Sequence, residues 1–221
     1  MEETLGRILD NYLDAKGIHK DIRQTKIIGD FCHRGDLKRV VSNTKQIDTK
    51  ITFLKGFHPY TRRGTEWLVK KKLYEDQMFL VRGGTEIIFR FSETHLNCGK
   101  NGTRSIDLLA EDKNGNCWVV EVKRLEDRAD LVAGLLETSM YVSLLQGNLE
   151  KIKNQFPRVK KVIGLFLYAK ASRGKHQELY ETRANRADTL SGRLKSGGIH
   201  IRRQPLSSHF LDEIGGKGNW K

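Results

Sequence analysis

Three residues of the sequence, Asp107, Glu121 and Lys123, have the types and the spacing for metal-assisted chemistry. The aspartate lies in one apolar run, residues 106–110, and the other two lie in a second apolar run, residues 118–123. Burying ionised groups is costly unless they pair with each other or bind a metal. Two carboxylates and a lysine at one edge of a sheet offer hard oxygen ligands for Mg²⁺ and a cation that positions water or phosphate.

The two apolar runs are predicted to be the strands of one β-hairpin. Asn114-Gly115 between them is the dipeptide typical of a type I′ turn. Side chains alternate along a strand, so Glu121 and Lys123 share one face and Val122 lies on the other. The antiparallel partner strand then brings the aspartate beside them. The same pattern also fits a solvated face or a cross-strand salt bridge, but the apolar context of both strands favours a functional site.

The remaining pattern predicts an α/β fold with a central mixed β-sheet flanked by helices. A helix at residues 127–146, apolar over much of its circumference, connects the hairpin to an apolar strand at 162–168. Strand, helix and strand at this spacing form a βαβ crossover, in which the two strands are parallel. We also expect helices and strands elsewhere, namely helices at 2–16, 66–74, 149–156 and 176–190 and strands at 26–28, 37–42, 47–54, 78–81, 86–91 and 197–203.

The chain is predicted to consist of three segments. Residues 1–60 form a small, basic, β-rich region that we interpret as a DNA-binding subdomain. The proline-containing turn at 56–59 marks its end, because proline interrupts regular structure. Residues 61–175 form the core that carries the motif. Residues 176–221 form a basic extension whose glycine-rich end is expected to be flexible.

The net charge of +13 indicates a polyanionic partner. Residues 1–65 contain 13 basic and 8 acidic residues, residues 66–169 contain 16 and 14, and residues 170–221 contain 11 and 5. The basic excess therefore lies in the two flanks, while the middle is nearly balanced. Nucleic acid is the favoured partner, because Lys and Arg bind its phosphates. A membrane partner is not expected, since no basic amphipathic helix stands out.

Several other classes of protein have no support in the sequence. There is no apolar stretch of transmembrane length and no signal peptide at the start, so we expect a cytoplasmic protein. The three cysteines lack the spacing of a disulfide framework or a zinc site. Phosphate-binding glycine loops and the serine-hydrolase elbow are also missing from the sequence.

The motif and its context resemble a known group of enzymes. Asp107, thirteen residues and then Glu121-Val122-Lys123, in a hairpin followed by a crossover helix and an apolar strand, resemble the PD-(D/E)xK nuclease superfamily. Within it, the run I-D-L-L-A-E-D-x-x-G-x-x-W-V-V-E-V-K-R is most similar to the nuclease domain of the NucS/EndoMS group. The resemblance covers about residues 66–169, and it implies a restriction-endonuclease-like sheet.

The resemblance also implies roles for individual residues. Asp107 and Glu121 would hold Mg²⁺, for which Mn²⁺ substitutes, with the Val122 carbonyl as a further ligand. Lys123 would orient or activate the attacking water and stabilise the charge that develops on the phosphate. Glu66 stands where members of the superfamily often carry a glutamate on the first core helix, and it is a further candidate catalytic residue. As an alternative, Glu66 only complements the dipole of the helix that it begins.

The sequence departs from the pattern of the superfamily at two places. Ile106 precedes the motif aspartate, where many relatives have proline. Many relatives also carry a glutamine on the crossover helix one turn before a tyrosine, whereas here Glu137 precedes Tyr141. Glu137 either replaces the glutamine as a polar contact of the site or faces solvent.

We therefore predict a Mg²⁺-dependent DNA endonuclease, of the restriction or DNA-repair type, that acts as a homodimer where both strands must be cut. Basic residues in the core and the flanks are the expected DNA contacts: Arg62, Arg63, Lys70, Arg124, Arg202 and Arg203. Two alternatives stay open. The chain is a nucleic-acid-binding module on a nuclease-like fold that does not cut, or a structural sheet whose Asp, Glu and Lys merely pair. Neither alternative needs all three motif groups together.

Overall fold

A computed structural model describes residues 47–57, 65–99, 103–124, 131–169, 191–192, 194–195 and 198–214. Several predictions fall outside these residues: the helices at 2–16 and 176–190, the strands at 26–28 and 37–42, the flexible end, and the DNA contacts Arg62 and Arg63. None of the helices in the described ranges is both long and apolar enough to span a membrane.

The described residues form an α/β fold built on one seven-stranded mixed sheet. Strand β3 pairs antiparallel with β1, β2 and β4, and β4 pairs antiparallel with β5, whereas β5–β6 and β6–β7 are parallel pairs. The order across the sheet is β1-β3-β4-β5-β6-β7, with β2 also on β3. The elements are β1 (Lys50–Leu54), α1 (Thr65–Asp76), β2 (Met78–Val81), β3 (Thr85–Asn97), β4 (Thr103–Asp112), β5 (Cys117–Arg124), α2 (Leu131–Gly147), α3 (Leu149–Ile152), β6 (Val162–Ala169), β7 (Ile201–Leu206) and α4 (Ser208–Glu213).

The two faces of the sheet carry separate apolar cores. Helix α1 covers one face, where Val69 and Leu73, one turn apart, pack against Val120 and Val122 of β5. Helix α2 covers the other face, and its side chains from residue 134 to 145 are nearly all buried. A helix that is apolar around most of its circumference needs partners on several sides. The site therefore lies in the middle layer of a helix–sheet–helix fold.

Most of the elements predicted within the described residues are confirmed, including the mixed sheet, the hairpin and the parallel β5–β6 pair that α2 connects. The turn of the β4–β5 hairpin differs from the prediction. The connection spans residues 113–116, and within it only Gly115 has a positive φ, at +77°. A type I′ turn needs a positive φ at both central residues. The longer connection forms because the Asp112 carboxylate accepts the N–H groups of Asn114 and Asn116.

The predicted division at residues 60 and 175 stays a prediction, because the residues around both boundaries lie outside the described ranges. One observation bears on it: strands from all three predicted segments belong to the same sheet. Strand β1 comes from the first segment and β7 from the last.

Two glycines allow helix α2 to approach the sheet closely. A Cβ on Gly134 of α2 would lie 2.4 Å from the ring of Phe166 on β6. A Cβ on Gly164 of β6 would lie 2.8 Å from Thr138 of α2. Real Cβ atoms do not approach other atoms so closely, so the missing side chains set the distance between helix and sheet. This short distance brings the polar residues of α2 to the motif on β5.

Candidate active site

The site forms where β4 and β5 separate. The two strands pair from Leu108–Val120 to Glu111–Cys117, and their pairing stops before Asp107. The two-residue alternation of β4 also breaks here, since Ile106 belongs to the core under α2 and Leu108 to the core under α1. The separation creates an opening between two strands in the middle of the sheet, and the Asp107 carboxylate lies in it.

Where β4 no longer pairs with β5, the side chain of Asp107 binds the backbone of β5 instead. Its Oδ2 accepts the N–H of Val122 over 2.9 Å. The N–H of Cys117 donates to the carbonyl of Lys161, the residue just before β6. Odd-numbered residues of β5 therefore direct their backbone groups to β6, and even-numbered ones direct theirs to β4. The N–H and C=O of one strand residue point to the same side, and the Val122 carbonyl therefore also points into the opening.

The second oxygen of Asp107 is bound by a lysine from α1. Lys70 Nζ lies 2.8 Å from Asp107 Oδ1, and the two side chains are only 16% and 13% exposed. Burial by itself raises the pKa of Asp107, but the ammonium groups of Lys70 and Lys123 outweigh it and hold the pKa below its ordinary value. Asp107 is therefore ionised at neutral pH.

Glu121 is less well satisfied than Asp107. Its Oε1 accepts a hydrogen bond from Lys123 Nζ over 3.0 Å, while its Oε2 is buried without a hydrogen-bond partner. Burial, followed by the negative charge of Asp107, raises the pKa of Glu121 well above its ordinary value. The two carboxyl groups are close enough for a proton on Glu121 to be shared with Asp107. No ammonium or N–H group of the described residues satisfies this buried oxygen, and a cation between the two carboxylates would satisfy it in place of the shared proton.

Lys123 connects the two glutamates of the site. Its Nζ lies 3.0 Å from Glu121 Oε1 and 3.0 Å from Glu137 Oε2 on α2. Burial alone would lower the pKa of Lys123, but Glu121, Glu137, Asp107 and Glu66 together raise it well above its ordinary value. The lysine is therefore a permanent cation at neutral pH.

Glu137 is a polar contact of the site and does not simply face solvent. Its Oε2 binds Lys123, and its Oε1 accepts a hydrogen bond from the hydroxyl of Tyr141 over 3.1 Å. Burial and the surrounding carboxylates raise the pKa of Tyr141, so its phenol keeps the proton that it donates. The glutamate therefore stands in the place that the resemblance gives to glutamine, but as a charged partner of the motif lysine.

Two further glutamates contribute charge around the motif. Glu66, on α1 one turn before Lys70, raises the pKa of Lys123 by its negative charge. Glu93 lies across from Asp107 on β3, between the pairs Ser92–Leu108 and Thr94–Ile106, and it raises the pKa of Lys70. Its φ of 47° is left-handed, a conformation that residues other than glycine seldom adopt.

The structure brings the three predicted motif residues together and places Glu66 near them. It places Lys70, predicted as a DNA contact, on the motif aspartate, whereas nothing in the sequence pattern linked these two residues. Glu93 was not predicted at all; no sequence signal marks a left-handed glutamate in a strand.

The remaining predicted DNA contacts lie farther along the sheet. The exposed Arg202 of β7 lies over the ring of Trp118, 5.4 Å from its centroid, and its guanidinium donates to Thr85 Oγ1. Arg203 is half-buried and aligned with Phe166 of β6. Arg124 is the last residue of β5. Their contacts with DNA stay predictions.

The donor set fits a divalent ion with a small number of protein ligands. In the described ranges, no three His, Cys, Asp or Glu side chains are grouped to hold a metal. The opening instead offers two carboxylates, Asp107 and Glu121, and the backbone carbonyl of Val122. Oxygen ligands with remaining positions for water are what Mg²⁺ prefers. The buried, partnerless Oε2 of Glu121 would gain the partner that it lacks.

Comparison with known proteins adds one structural similarity. No protein-family model matches the sequence, and no curated protein is significantly similar to it. Among solved structures, the chain is similar to a complex of EndoMS with double-stranded DNA, at 20% sequence identity and a TM-score of 0.36. The match covers 70% of this chain and 50% of that chain. A TM-score of this size does not establish a shared fold, so the functional proposal depends on the geometry of the site.

Proposed function

We propose that this chain is a divalent-metal-dependent DNA endonuclease of the PD-(D/E)xK type, with its active site in the opening between β4 and β5. The observation that carries the proposal is the Oε2 of Glu121, which is buried without a hydrogen-bond partner beside the ionised Asp107. A cation between the two carboxylates satisfies both groups, and a purely structural ion-pair network has no need to leave one oxygen over.

Asp107, Glu121 and the carbonyl of Val122 would hold Mg²⁺ or Mn²⁺. When bound, the ion would supply Lewis acidity for the scissile phosphate and the attacking water. Asp107 is ionised and able to hold the ion at neutral pH, because Lys70 and Lys123 keep its pKa low. Its bond to the Val122 N–H fixes the carboxylate relative to the backbone of β5.

Lys123 is the residue that stabilises charge on the reacting phosphate. Its ammonium is charged at neutral pH and is held at 3.0 Å from both Glu121 and Glu137. A cation fixed in advance stabilises developing negative charge without first having to reorganise. Glu137 positions this ammonium, and the hydroxyl of Tyr141 in turn fixes Glu137. Glu66 adds negative potential on the α1 side of the site.

DNA is the proposed substrate because the charge of the chain favours a phosphate polymer. The net charge is +13, and the excess lies outside the nearly neutral segment that carries the site. Cleavage of both strands needs two sites, so a homodimer belongs to the proposal. Sedimentation of the chain with and without duplex DNA tests this part.

The central experiment is a cleavage assay on duplex, mismatched, branched and single-stranded DNA with Mg²⁺, Mn²⁺ or a chelator. We expect divalent ions to produce cleavage and Lys123→Ala to abolish it. Lys153→Ala is the matched control, because the described partner of Lys153 is Glu150, on the exposed surface. Absence of cleavage on every substrate with both ions, or full activity of Lys123→Ala, would exclude the proposal.

A second candidate function is a DNA-binding module that does not cut. The Lys70–Asp107 pair favours it, because this ammonium neutralises the motif aspartate without any metal. In that case the affinity for DNA is the same with Mg²⁺ and with a chelator, and Asp107→Asn leaves it unchanged. DNA-binding titrations of the wild type and of Asp107→Asn, each with Mg²⁺ and with a chelator, separate the two functions.

A further inference from the structure

We propose that Lys70 is a built-in counter-ion of the metal site, whose ammonium binds Asp107 in the metal-free protein and competes with the divalent ion for that carboxylate. The inference rests on the proposed function, since it takes Asp107 and Glu121 as the residues that hold the ion. It gives Lys70 a role inside the site, where the sequence had predicted a contact with DNA.

The surroundings of Lys70 differ from those of the lysines next to it. Lys71 makes an ion pair with Glu75 one turn ahead, and Lys72 binds Asp76 one turn ahead and Glu213 of α4; neither pairs with a motif carboxylate. Lys70 instead reaches Asp107 on β4, 37 residues away, and its side chain is only 16% exposed. An exposed ion pair between two mobile side chains contributes little. A shielded pair between two elements of the fold has a fixed geometry and interacts more strongly.

Lys70 also lies in the combined field of several carboxylates. Asp107, Glu121 and Glu93 all favour its charged form, and their sum exceeds the cost of its burial. Without the ammonium of Lys70, Lys123 would be the one cation among the described residues that lowers the pKa of both motif carboxylates. Lys70 therefore reduces the repulsion between Asp107 and Glu121 in the metal-free protein.

A divalent ion between Asp107 and Glu121 reduces the same repulsion with twice the charge. Two cations on one carboxylate repel each other, so each weakens the binding of the other. Lys70 binds Oδ1 of Asp107, whereas Oδ2 accepts the neutral N–H of Val122 and Oε2 of Glu121 has no donor among the described residues. These two carboxylate oxygens and the Val122 carbonyl would hold the ion. Removing the charge of Lys70 should strengthen metal binding, and metal binding should loosen Lys70 from Asp107.

The test is a Mn²⁺ titration without DNA, in which electron paramagnetic resonance measures the free ion. We expect Lys70→Met, which keeps the apolar stem and removes the charge, to bind Mn²⁺ at least about tenfold more tightly than the wild type. Lys70→Arg keeps the charge and should remain within about threefold of the wild type. Lys72→Met is the matched control from the same helix and should bind like the wild type.

Different outcomes of this titration contradict the inference and the proposed function. If Lys70→Met binds no more tightly than the wild type, or no more tightly than Lys72→Met, Lys70 is not a counter-ion of the site. If Asp107→Asn binds Mn²⁺ as well as the wild type, the ion does not use the motif, and the proposed function itself fails. Weaker binding by Asp107→Asn with unchanged binding by Lys70→Met contradicts the inference alone.

A second measurement on the wild type applies even if Lys70→Met does not fold. Lysines are acetylated with a water-soluble reagent in the presence and absence of Mn²⁺, and mass spectrometry gives the extent at each position. Mn²⁺ should increase acetylation of Lys70 and leave Lys71, which is 40% exposed and paired with Glu75, unchanged. Equal acetylation of Lys70 in both conditions would contradict the inference.

Discussion

The two ends of the β4–β5 hairpin each contain an aspartate of β4, and the two aspartates are satisfied in different ways. At the turn end, Asp112 accepts N–H groups from Asn114, Asn116 and the indole of Trp118, all within six residues of it. Burial raises the pKa of Asp112, but these donors outweigh the burial and lower it. Local, neutral donors are sufficient to satisfy this carboxylate.

At the open end, where β4 and β5 separate at Asp107, two of the donors are charged, and one of them comes from another element of the fold. Asp107 accepts from Lys70 of α1, and Glu121 beside it accepts from Lys123. One oxygen of Glu121 still has no donor. A carboxylate that only stabilises a turn is satisfied completely, as Asp112 is, whereas a site for an external ion must keep an acceptor in reserve. The difference separates the structural end of the hairpin from the end to which we assign the proposed function.

The largest expected effect comes from neutralising the open end. Asp107→Asn and Glu121→Gln should each reduce DNA cleavage by roughly a thousandfold, about 4 kcal/mol in activation free energy, because each removes an anionic ligand of the metal. Single-turnover cleavage assays at saturating Mg²⁺ measure the loss. Asp112→Asn is the control at the turn end and should retain at least about half of the wild-type rate. Equal losses at both ends would contradict the comparison.

The next largest effect is a loss of stability when Asp112, at the turn end of the hairpin, is replaced. Asp112→Ala leaves the indole N–H of Trp118 and the N–H groups of Asn116 without their acceptor. Buried donors without a partner cost about 1–3 kcal/mol each, so we expect a loss of about 3 kcal/mol in the free energy of unfolding. Urea denaturation measures it. The folded variant should bind Mn²⁺ like the wild type, and a weaker affinity would show that the two ends are coupled.

A smaller effect should follow from moving α2 away from the sheet. Gly134→Ala places a Cβ where the ring of Phe166 now lies, and we expect it to cost about 2 kcal/mol of stability. The shift should also separate Glu137 from Lys123 and lower the cleavage rate. Gly192→Ala is the control, since its Cβ would meet no atom of the described residues within 4 Å. Unchanged cleavage by a destabilised Gly134→Ala would mean that the Lys123–Glu137 distance is not critical.

The smallest expected effect is on the pH dependence of stability, which should differ between Glu121 and Asp107. The folded-state pKa of Glu121 lies above its ordinary value of 4.5, so the folded protein binds the proton more tightly than the unfolded chain does. Stability therefore falls as the pH rises from the unfolded pKa through the folded pKa. Glu121→Gln removes this loss and should be about 1 kcal/mol more stable than the wild type above that range, but not below pH 4.5.

The contribution of Asp107 to stability has the opposite pH dependence, because its pKa is lowered in the folded state. Its contribution to stability is present above the unfolded pKa and is lost as the pH falls through the folded pKa. Asp107→Asn should therefore be less stable than the wild type at neutral pH. Urea unfolding of both variants between pH 4 and pH 8 measures the two trends, and a destabilised Glu121→Gln at neutral pH would contradict this account.

Much of the sheet could be predicted because its signals are local. Val119, Val120 and Val122 mark β5, the alternation along β1 places its buried side, and the apolar stretch of α2 indicates a helix packed on several sides. The hairpin predicted that Asp107 lies near Glu121, but not that the pairing of β4 and β5 stops before Asp107. These features depend on neighbours in sequence, and the sequence contains them directly.

The rest of the site depends on contacts that no periodicity encodes. Lys70 binds Asp107 because α1 crosses β4 at one angle, and the position of Glu137 depends on how closely Gly134 lets α2 approach. The turn at Asp112 deviates from type I′ because a side chain competes for backbone N–H groups. The break in alternation at Asp107 could not be predicted from its surroundings, which are apolar on both sides.

The bond between the Val122 N–H and Asp107 makes one backbone amide an internal reporter of the site. Elsewhere in a sheet, the exchange of an amide proton with deuterium depends on the opening of a neighbouring strand. Here the exchange depends on the carboxylate of Asp107, which Lys70 contacts and which the proposed divalent ion would contact. The exchange rate and chemical shift of this amide will therefore change with the occupancy of the opening, even in variants that cut no DNA.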